Sequence, residues 1–296
     1  MAVDELQYVP KVEARARARK QLGRIGVLTP HFTADSFVDR LRGIASVLDG
    51  LPYELVVYDI TTRAQRDRHL ATMALTNQVD GLIVIGLPFD DDVAARFMAS
   101  GMAIVQLMTK TQPFSHRVSS IVVDDGQAGR MAAEHLLSRG HRTVGFVGGM
   151  APPDTANTFG LANLDGFRQA LALAGIPLPD AYVSLAPFSL ENAREQAHRL
   201  LDLPDRPTAI YAASDTQAIG VLSAARQRGL SVPSDLAVIG FDDIEIAEFI
   251  GLSTIGQPLK ESGRRAVEFL LDQMADPTRA IERVDLPLTL HSRLTT

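Results

Sequence analysis

The stretch 208–243, TAIYAASDTQAIGVLSAARQRGLSVPSDLAVIGFDD, limits the fold more tightly than any other part of the chain. Thr208 to Ala213 is short, apolar and partly β-branched, and the polar cluster Ser214, Asp215, Thr216 follows at once, so it reads as a buried strand running into a loop. A helix comes next. Ala218, Val221, Leu222 and Ala225 recur at three- and four-residue spacing, Arg226 and Arg228 make a basic last turn, and Gly229 supplies a left-handed cap. Leu236 to Phe241 is a second strand that ends in Asp242 and Asp243. The right-handed crossover of such a β-α-β unit makes its strands parallel and brings both carboxyl ends to one edge. Ser214, Asp215, Asp242 and Asp243 are therefore expected together, at the edge where open α/β sheets bind ligands.

The same alternation runs through the rest of the chain. Strands are predicted at Arg24 to Thr29, Tyr53 to Ile60, Val79 to Gly86, Ala103 to Met108 and Ser119 to Val123. Helices between them are predicted from Asp35, with Phe37, Leu41, Ile44 and Leu48 on one face, over Arg63 to Asn77, and over Asp90 to Ser100. The pattern then starts again. Helix Gln127 to Arg139, strand Thr143 to Gly148, a helix ending over Asn163 to Ala174, strand Ala181 to Leu185 and helix Glu191 to Leu201 lead to the opening unit. A helix over Leu259 to Met274 and one extended run, Val284 to Leu290, close the chain. Two successive α/β halves imply an α/β protein of two similar, doubly wound parallel-sheet lobes. No Gly- or Ser-rich linker separates them, so three short crossings are expected near 124–128, 253–257 and 283–286. The lobes then comprise 21–126 plus 257–283 and 127–256 plus 284–296, with 1–20 as a separate basic arm. A ligand bound between such lobes would close them about the crossings as a hinge.

Composition narrows the function. With 296 residues, 46% of them hydrophobic, the chain can bury a large core. The absence of cysteine excludes disulfides, thiolate zinc sites and thiol nucleophiles. No apolar run reaches membrane-spanning length and MAVDELQYVP has no signal-peptide character, so a cytoplasmic protein that does not enter the membrane is expected. Residues 1–24 hold six basic residues against three acids, +3, which leaves −9 on the remainder of a chain whose net charge is −6. Only the arm suits a polyanion.

Several runs in order, LQYVPKVEARARARKQLGRIGVL at the start, SSIVVDDGQAG at 119–129, HLLSRGHRTVGFVGG at 135–149, DGFRQALALAGI at 165–176 and the 209–243 unit, resemble the LacI/GalR family of bacterial transcription regulators. The resemblance implies a periplasmic-binding-protein-like core that forms a homodimer, binds a small-molecule effector such as a sugar, and reaches operator DNA through an N-terminal helix-turn-helix and a hinge helix. Only nine residues precede Pro10, too few for a three-helix reader of the major groove, so the helix-turn-helix is expected to be absent. The hinge match places Arg15, Arg17 and Arg19 on DNA. Arg17 stands where the family commonly has a Leu wedge, and without a base-reading element weak, sequence-independent DNA binding is expected.

The resemblance also implies an effector site. Phe37, with Ser36 beside it, and Phe188 match aromatic positions against ligand, and each is read either as a stacking face or as core. Asp242 and Gln257 match positions that bond ligand hydroxyls or ring nitrogens, and Ser214 stands where Asn is usual. Asn163 replaces a frequent ligand-binding Arg and Met108 a common Asp, which changes the ligand accepted. Asp215 reads either as a ligand contact or as the cap of a helix starting at Thr216. His31 either reaches the ligand or is solvated. Asp90, Asp91 and Asp92 read as a helix start rather than a metal cluster, and Asp242 with Asp243 as loop capping rather than a catalytic pair. No histidine has metal spacing and no phosphate-binding glycine motif occurs, so neither metal nor cofactor is expected. The chain thus reads as the core of a ligand-responsive repressor, with a transport solute-binding protein as the alternative and an enzyme as the third choice.

Overall fold

The structure, a computed structural model, describes residues 22–76, 78–109, 118–150, 154 and 160–296. Arg15, Arg17 and Arg19 lie outside the described residues. The chain divides into two compact units: of the described residues the first takes 22–107, 118–121 and 260–283, and the second takes 108–109, 122–259 and 284–296.

The first unit is built on β1 (Arg24–Thr29), β2 (Glu54–Asp59), β3 (Gly81–Ile85), β4 (Ala103–Thr109), β5 (Ser119–Val123) and the late strand β11 (Arg283–Asp285), in the order β11-β5-β4-β3-β1-β2. Its helices are α1 (Asp35–Leu48), α2 (Arg63–Thr76), α3 (Asp91–Ser100) and α9 (Leu259–Ala275). The second unit repeats the plan. Strands β6 (Val144–Gly149), β7 (Val183–Ala186), β8 (Ala209–Ala212), β9 (Ala237–Asp242), β10 (Ser253–Gly256) and β12 (Thr289–His291) lie in the order β12-β10-β9-β8-β6-β7. Its helices are α4 (Asp125–Ser138), α5 (Leu161–Leu173), α6 (Leu190–Leu201), α7 (Asp215–Gln227) and the short α8 (Glu245–Phe249).

In each sheet the first strand lies between the second and the third, with parallel pairing on both sides: β1 with β2 and β3, and β6 with β7 and β8. The winding direction reverses there, and the loops leaving the two central strands part to open a crevice at the carboxyl edge. The expected single run Val284 to Leu290 is instead two strands, one on the edge of each sheet, and β12 runs antiparallel to β10. Pro287 between them lacks the N–H a continuous strand would use.

Both faces of each sheet are covered, as continuous apolar strands require. In the second unit Phe146, Phe167 and Tyr211 meet with ring centroids 5.2 to 6.2 Å apart, all fully buried. Glycines set how closely helices pack. A Cβ on Gly129 of α4 would overlap the Asn163 carbonyl and lie 2.6 Å from the Phe167 amide nitrogen, and one on Gly166 of α5 would overlap the Gly126 carbonyl. The first unit has the same reciprocal arrangement: Gly43 of α1 faces the Lys260 carbonyl and Gly263 of α9 faces that of Arg40. This close crossing rotates α1, so Arg40 and Gly43 are buried with Phe37, Ile44 and Leu48, while Leu41, expected inside, is only half-buried. Among the described residues no helix is long and apolar enough to cross a membrane.

Because backbone and not a flexible side chain opposes these glycines, Gly129→Ala and Gly166→Ala are expected to force α4 and α5 apart and destabilise the second unit by about 1–3 kcal/mol each. Urea denaturation followed by circular dichroism measures this, and unchanged midpoints would contradict the close-packed crossing.

Candidate functional site

The crevice of the second unit lies between the carboxyl ends of β6 and β8. Beyond β6, Gly160 takes a left-handed conformation (φ 92°) and starts α5, which sets Asn163 in the first helical turn. Asn163 is buried, 1% exposed; its Nδ2 donates to the Tyr211 hydroxyl at 3.0 Å, and its Oδ1 has no partner among the described residues. A buried amide oxygen left without a donor is costly and calls for an explanation.

Beyond β8, Ser214 caps α7 by accepting a hydrogen bond from the Gln217 backbone N–H at 3.1 Å. The helix therefore begins at Asp215, one residue earlier than the sequence suggests, and the cap is Ser214 rather than Asp215. Asp215 is fully buried. One carboxyl oxygen accepts from the Ile244 N–H at 2.9 Å and the other from the Thr254 hydroxyl at 2.6 Å, so both are used inside the protein. Burial, followed by the nearby Asp242 charge, raises its pKa well above the ordinary aspartate value.

At the end of β9, Asp242 and Asp243 both have positive φ, 116° and 59°. Side chains rarely adopt such conformations, and they persist only where surrounding contacts over-determine them. Here the contacts differ for the two residues. Asp242 accepts from Gln257 Nε2 at 2.6 Å, while its backbone oxygen accepts from the Gln257 N–H at 3.1 Å. Asp243 pairs with Arg293 at 2.7 Å and with His291 at 3.3 Å. The two carboxylates hold separate partners, in keeping with loop fixation. Phe188, after β7, is 44% exposed, and the next residue, Ser189, caps α6.

The carboxyl edge of this sheet thus brings together Asn163, Ser214, Asp242 and Gln257, with Asp215 enclosed beneath. The sequence did not single out two further members, Tyr211 and Asp125. Burial raises the Tyr211 pKa well above its usual value; the Asn163 hydrogen bond opposes this, and Asp125, Asp242 and Asp215 add to it. A hydroxyl inside a fully buried strand was the available signal, since buried tyrosines need a polar partner. Asp125 was overlooked because the helix was expected to start at Gln127, whereas α4 starts at Asp125 under an Asp124 cap that accepts from the Gln127 N–H at 2.8 Å.

In the first unit, Ser36 and Phe37 lie in the opening turn of α1, beside the reversal between β1 and β3. Phe37 is buried, and the Arg40 guanidinium sits 5.6 Å from its ring centroid, so one ring face is already covered by a cation. His31, at φ 52°, is exposed in the loop after β1. Met108 lies in β4, its side chain outside the described residues. Asp90 caps α3 by accepting from the Val93 N–H at 3.0 Å, and Asp91 and Asp92 form its first turn.

The raised pKa of Asp215 has a definite sign for stability. The folded chain keeps this proton over a range in which the unfolded chain has released it, so stability is fullest below the ordinary aspartate value and declines as pH rises through the raised one. Asp215→Asn can still accept from Ile244 and meet Thr254, and should flatten that decline. Asp215→Ala leaves both donors unmet and should cost about 1–3 kcal/mol for each. Denaturation from about pH 4 to about pH 8 separates these cases, and equal pH slopes for the wild type and Asp215→Asn would count against the buried proton.

Comparison with known proteins gives the constellation its context. Residues 133–296 match the family model described as periplasmic binding protein-like domain. The chain is 31% identical over 277 residues to the HTH-type transcriptional repressor CytR of Escherichia coli, covering 92% of this chain and 79% of that protein. It is 31% identical over 295 residues to the ribose operon repressor of the same organism, covering 99% and 88%. The solved complex of the transcriptional regulator CelR with cellobiose superposes with a TM-score of 0.78 at 26% identity, covering all of this chain and 88% of that one. A LacI family regulator from Enterococcus faecium with bound ribose gives 0.75 at 29% identity, covering 92% and 98%. With the doubly wound fold repeated in both units and these matches along nearly its whole length, the chain belongs to the LacI family of transcriptional regulators.

Proposed function

We propose that the chain is the effector-binding and dimerisation core of a bacterial DNA-binding repressor that responds to a small, polar, sugar-like metabolite. The observation that carries this reading is the set of polar side chains at the carboxyl edge of the second sheet. Asn163, Ser214, Asp242 and Gln257 present donors and acceptors at the point where such sheets take ligands, and the exposed Phe188 ring offers an apolar face of the kind sugars stack upon. The strained backbone at Asp242 adds support, because such conformations gather at ligand sites. The ribose- and cellobiose-bound relatives make a hydroxyl-rich ligand the natural choice.

In this reading the protein is a cytoplasmic homodimer that controls operator DNA, and the arm with Arg15, Arg17 and Arg19 serves the DNA side. Relatives that are repressors favour this over a transport solute-binding protein. Catalysis is not part of the proposal: Asp242 and Asp243 are committed to different partners, and the relatives are regulators.

Thermal-shift measurements with ribose, cellobiose, other sugars and nucleosides test the reading. A ligand at about 100 times its Kd should stabilise the protein by about 2.7 kcal/mol. Titration calorimetry with the best hit should then show Asp242→Ala weakening binding by about 1.5–3 kcal/mol, the usual effect of losing a hydrogen bond to a charged group. Undiminished affinity in that variant would place the ligand elsewhere.

A further inference from the structure

Among the described residues only three other than glycine have positive φ, and two of them, Asp242 and Asp243, are consecutive at the end of β9. Each such conformation costs on the order of 1–3 kcal/mol and lasts only where contacts hold it. Asp242 is held by Gln257, directly after β10. Asp243 is held by a different part of the chain, the final segment that begins with β12: one carboxylate oxygen meets Arg293 and the other meets His291.

Arg293 is itself anchored by two bonds that do not involve Asp243. Its Nη1 donates to the Leu252 carbonyl at 2.8 Å, and its backbone N–H donates to the Ser253 hydroxyl at 2.8 Å, which ties it to the start of β10. Gly256, at the other end of β10, makes room for the pair. A Cβ there would lie 2.8 Å from the His291 ring and 3.0 Å from the Asp243 Cβ. Gly256 is also the residue that β10 sets opposite Asp242. A line of contacts therefore runs from Leu252 and Ser253 through Arg293 and Asp243 to the backbone of Asp242. The Arg293 and Asp243 side chains are 19% and 24% exposed, so their attraction is screened less than that of a surface pair.

An ion pair that served stability alone could sit anywhere on the unit. This one acts on the residue next to Asp242, at a backbone that would otherwise relax. Return of Asp243 to an ordinary φ would turn the peptide between 242 and 243 and carry the Asp242 carboxylate with it. A binding group gives most affinity when its geometry is already held by the residues behind it.

We propose that Arg293 is a positioning residue for effector binding: by holding Asp243 in its left-handed conformation, with His291 as a second partner, it fixes the direction in which the Asp242 carboxylate meets the ligand. The proposal rests on the effector-binding reading above and adds to it a residue that acts through another.

Equilibrium dialysis with labelled ribose and labelled cellobiose, which also reads weak binding, tests it on variants whose urea midpoints are measured alongside. Asp243→Asn keeps the size of the side chain and its tolerance of the left-handed conformation and removes the charge. It should weaken the better-binding sugar by about tenfold. Arg293→Met should do the same, and Arg293→Lys, which keeps the charge, should recover part of the loss. In an Asp242→Ala background Asp243→Asn and Arg293→Met should each cost less than about twofold more, because the group they position is gone. A role in stability alone shifts the midpoint in both backgrounds and produces no such cancellation. If Arg293→Met does not fold, Asp243→Asn decides the matter, since it leaves the Arg293 bonds to Leu252 and Ser253 in place. Unchanged affinity in folded Asp243→Asn overturns the proposal and leaves the effector-binding reading standing, and so does a full, additive loss in the Asp242→Ala background. If the wild type binds neither sugar, or Asp242→Ala binds as well as the wild type, the proposal fails together with the reading beneath it.

Discussion

The second unit depends on a buried carboxyl group. Asp215 starts α7, yet its oxygens reach the backbone of the loop after β9 and the side chain of β10, so one residue fixes three elements relative to one another. The room for it comes from Gly240, where any Cβ would overlap the Asp215 carboxyl oxygen. With Asp215 in place, Ile244 is held, the Asp242–Asp243 backbone is pinned between Ile244 and Gln257, and the polar edge takes its shape. The site above is therefore supported by a polar contact inside an apolar core, where an unmet donor costs more than at the surface.

A second constraint is shared by both units. Glycine pairs bring α1 against α9 and α4 against α5 until backbone meets backbone, and each pair includes a helix that leads into a carboxyl edge. The consequence differs between units. In the first, the crossing turns Arg40 inward over Phe37; in the second, it sets the height of Asn163 against Tyr211. Neither effect needs a large side chain, since both come from how near two helix axes can approach.

Most of the fold was legible in the sequence, because strands buried on both faces and helices with basic or glycine ends leave strong periodic signals. The carboxyl-edge grouping of Ser214, Asp215, Asp242 and Asp243 followed from crossover handedness alone. Details that depend on contacts between distant segments were not legible. The half-exposure of Leu41 is set by Gly263, the commitment of Asp215 by Ile244 and Thr254, and the importance of Tyr211 by Asn163. The final run was misread for a related reason: local pattern reports an extended chain but not which sheet it joins. Short apolar runs also hid the first residues of α4 and α7, because aspartate reads equally as a cap or as a first-turn residue.

The placement of β11 and β12 on different sheets has a consequence for how the chain is made. Unit one owns both the first strands of the chain and, after the whole run through Leu259, the helix α9 and strand β11. Its α1 emerges from the ribosome long before the glycine that must seat against it, and its sheet lacks an edge strand until Arg283 has been added. Unit two, by contrast, holds one unbroken run from Val122 to Leu259 and then lacks only the stretch from Val284 onward, with β12 in it. Contacts between segments far apart in sequence close slowly and late. During synthesis the part of the chain translated first accordingly waits, with α1 uncovered along its Gly43 face, until the late helix α9 has been made.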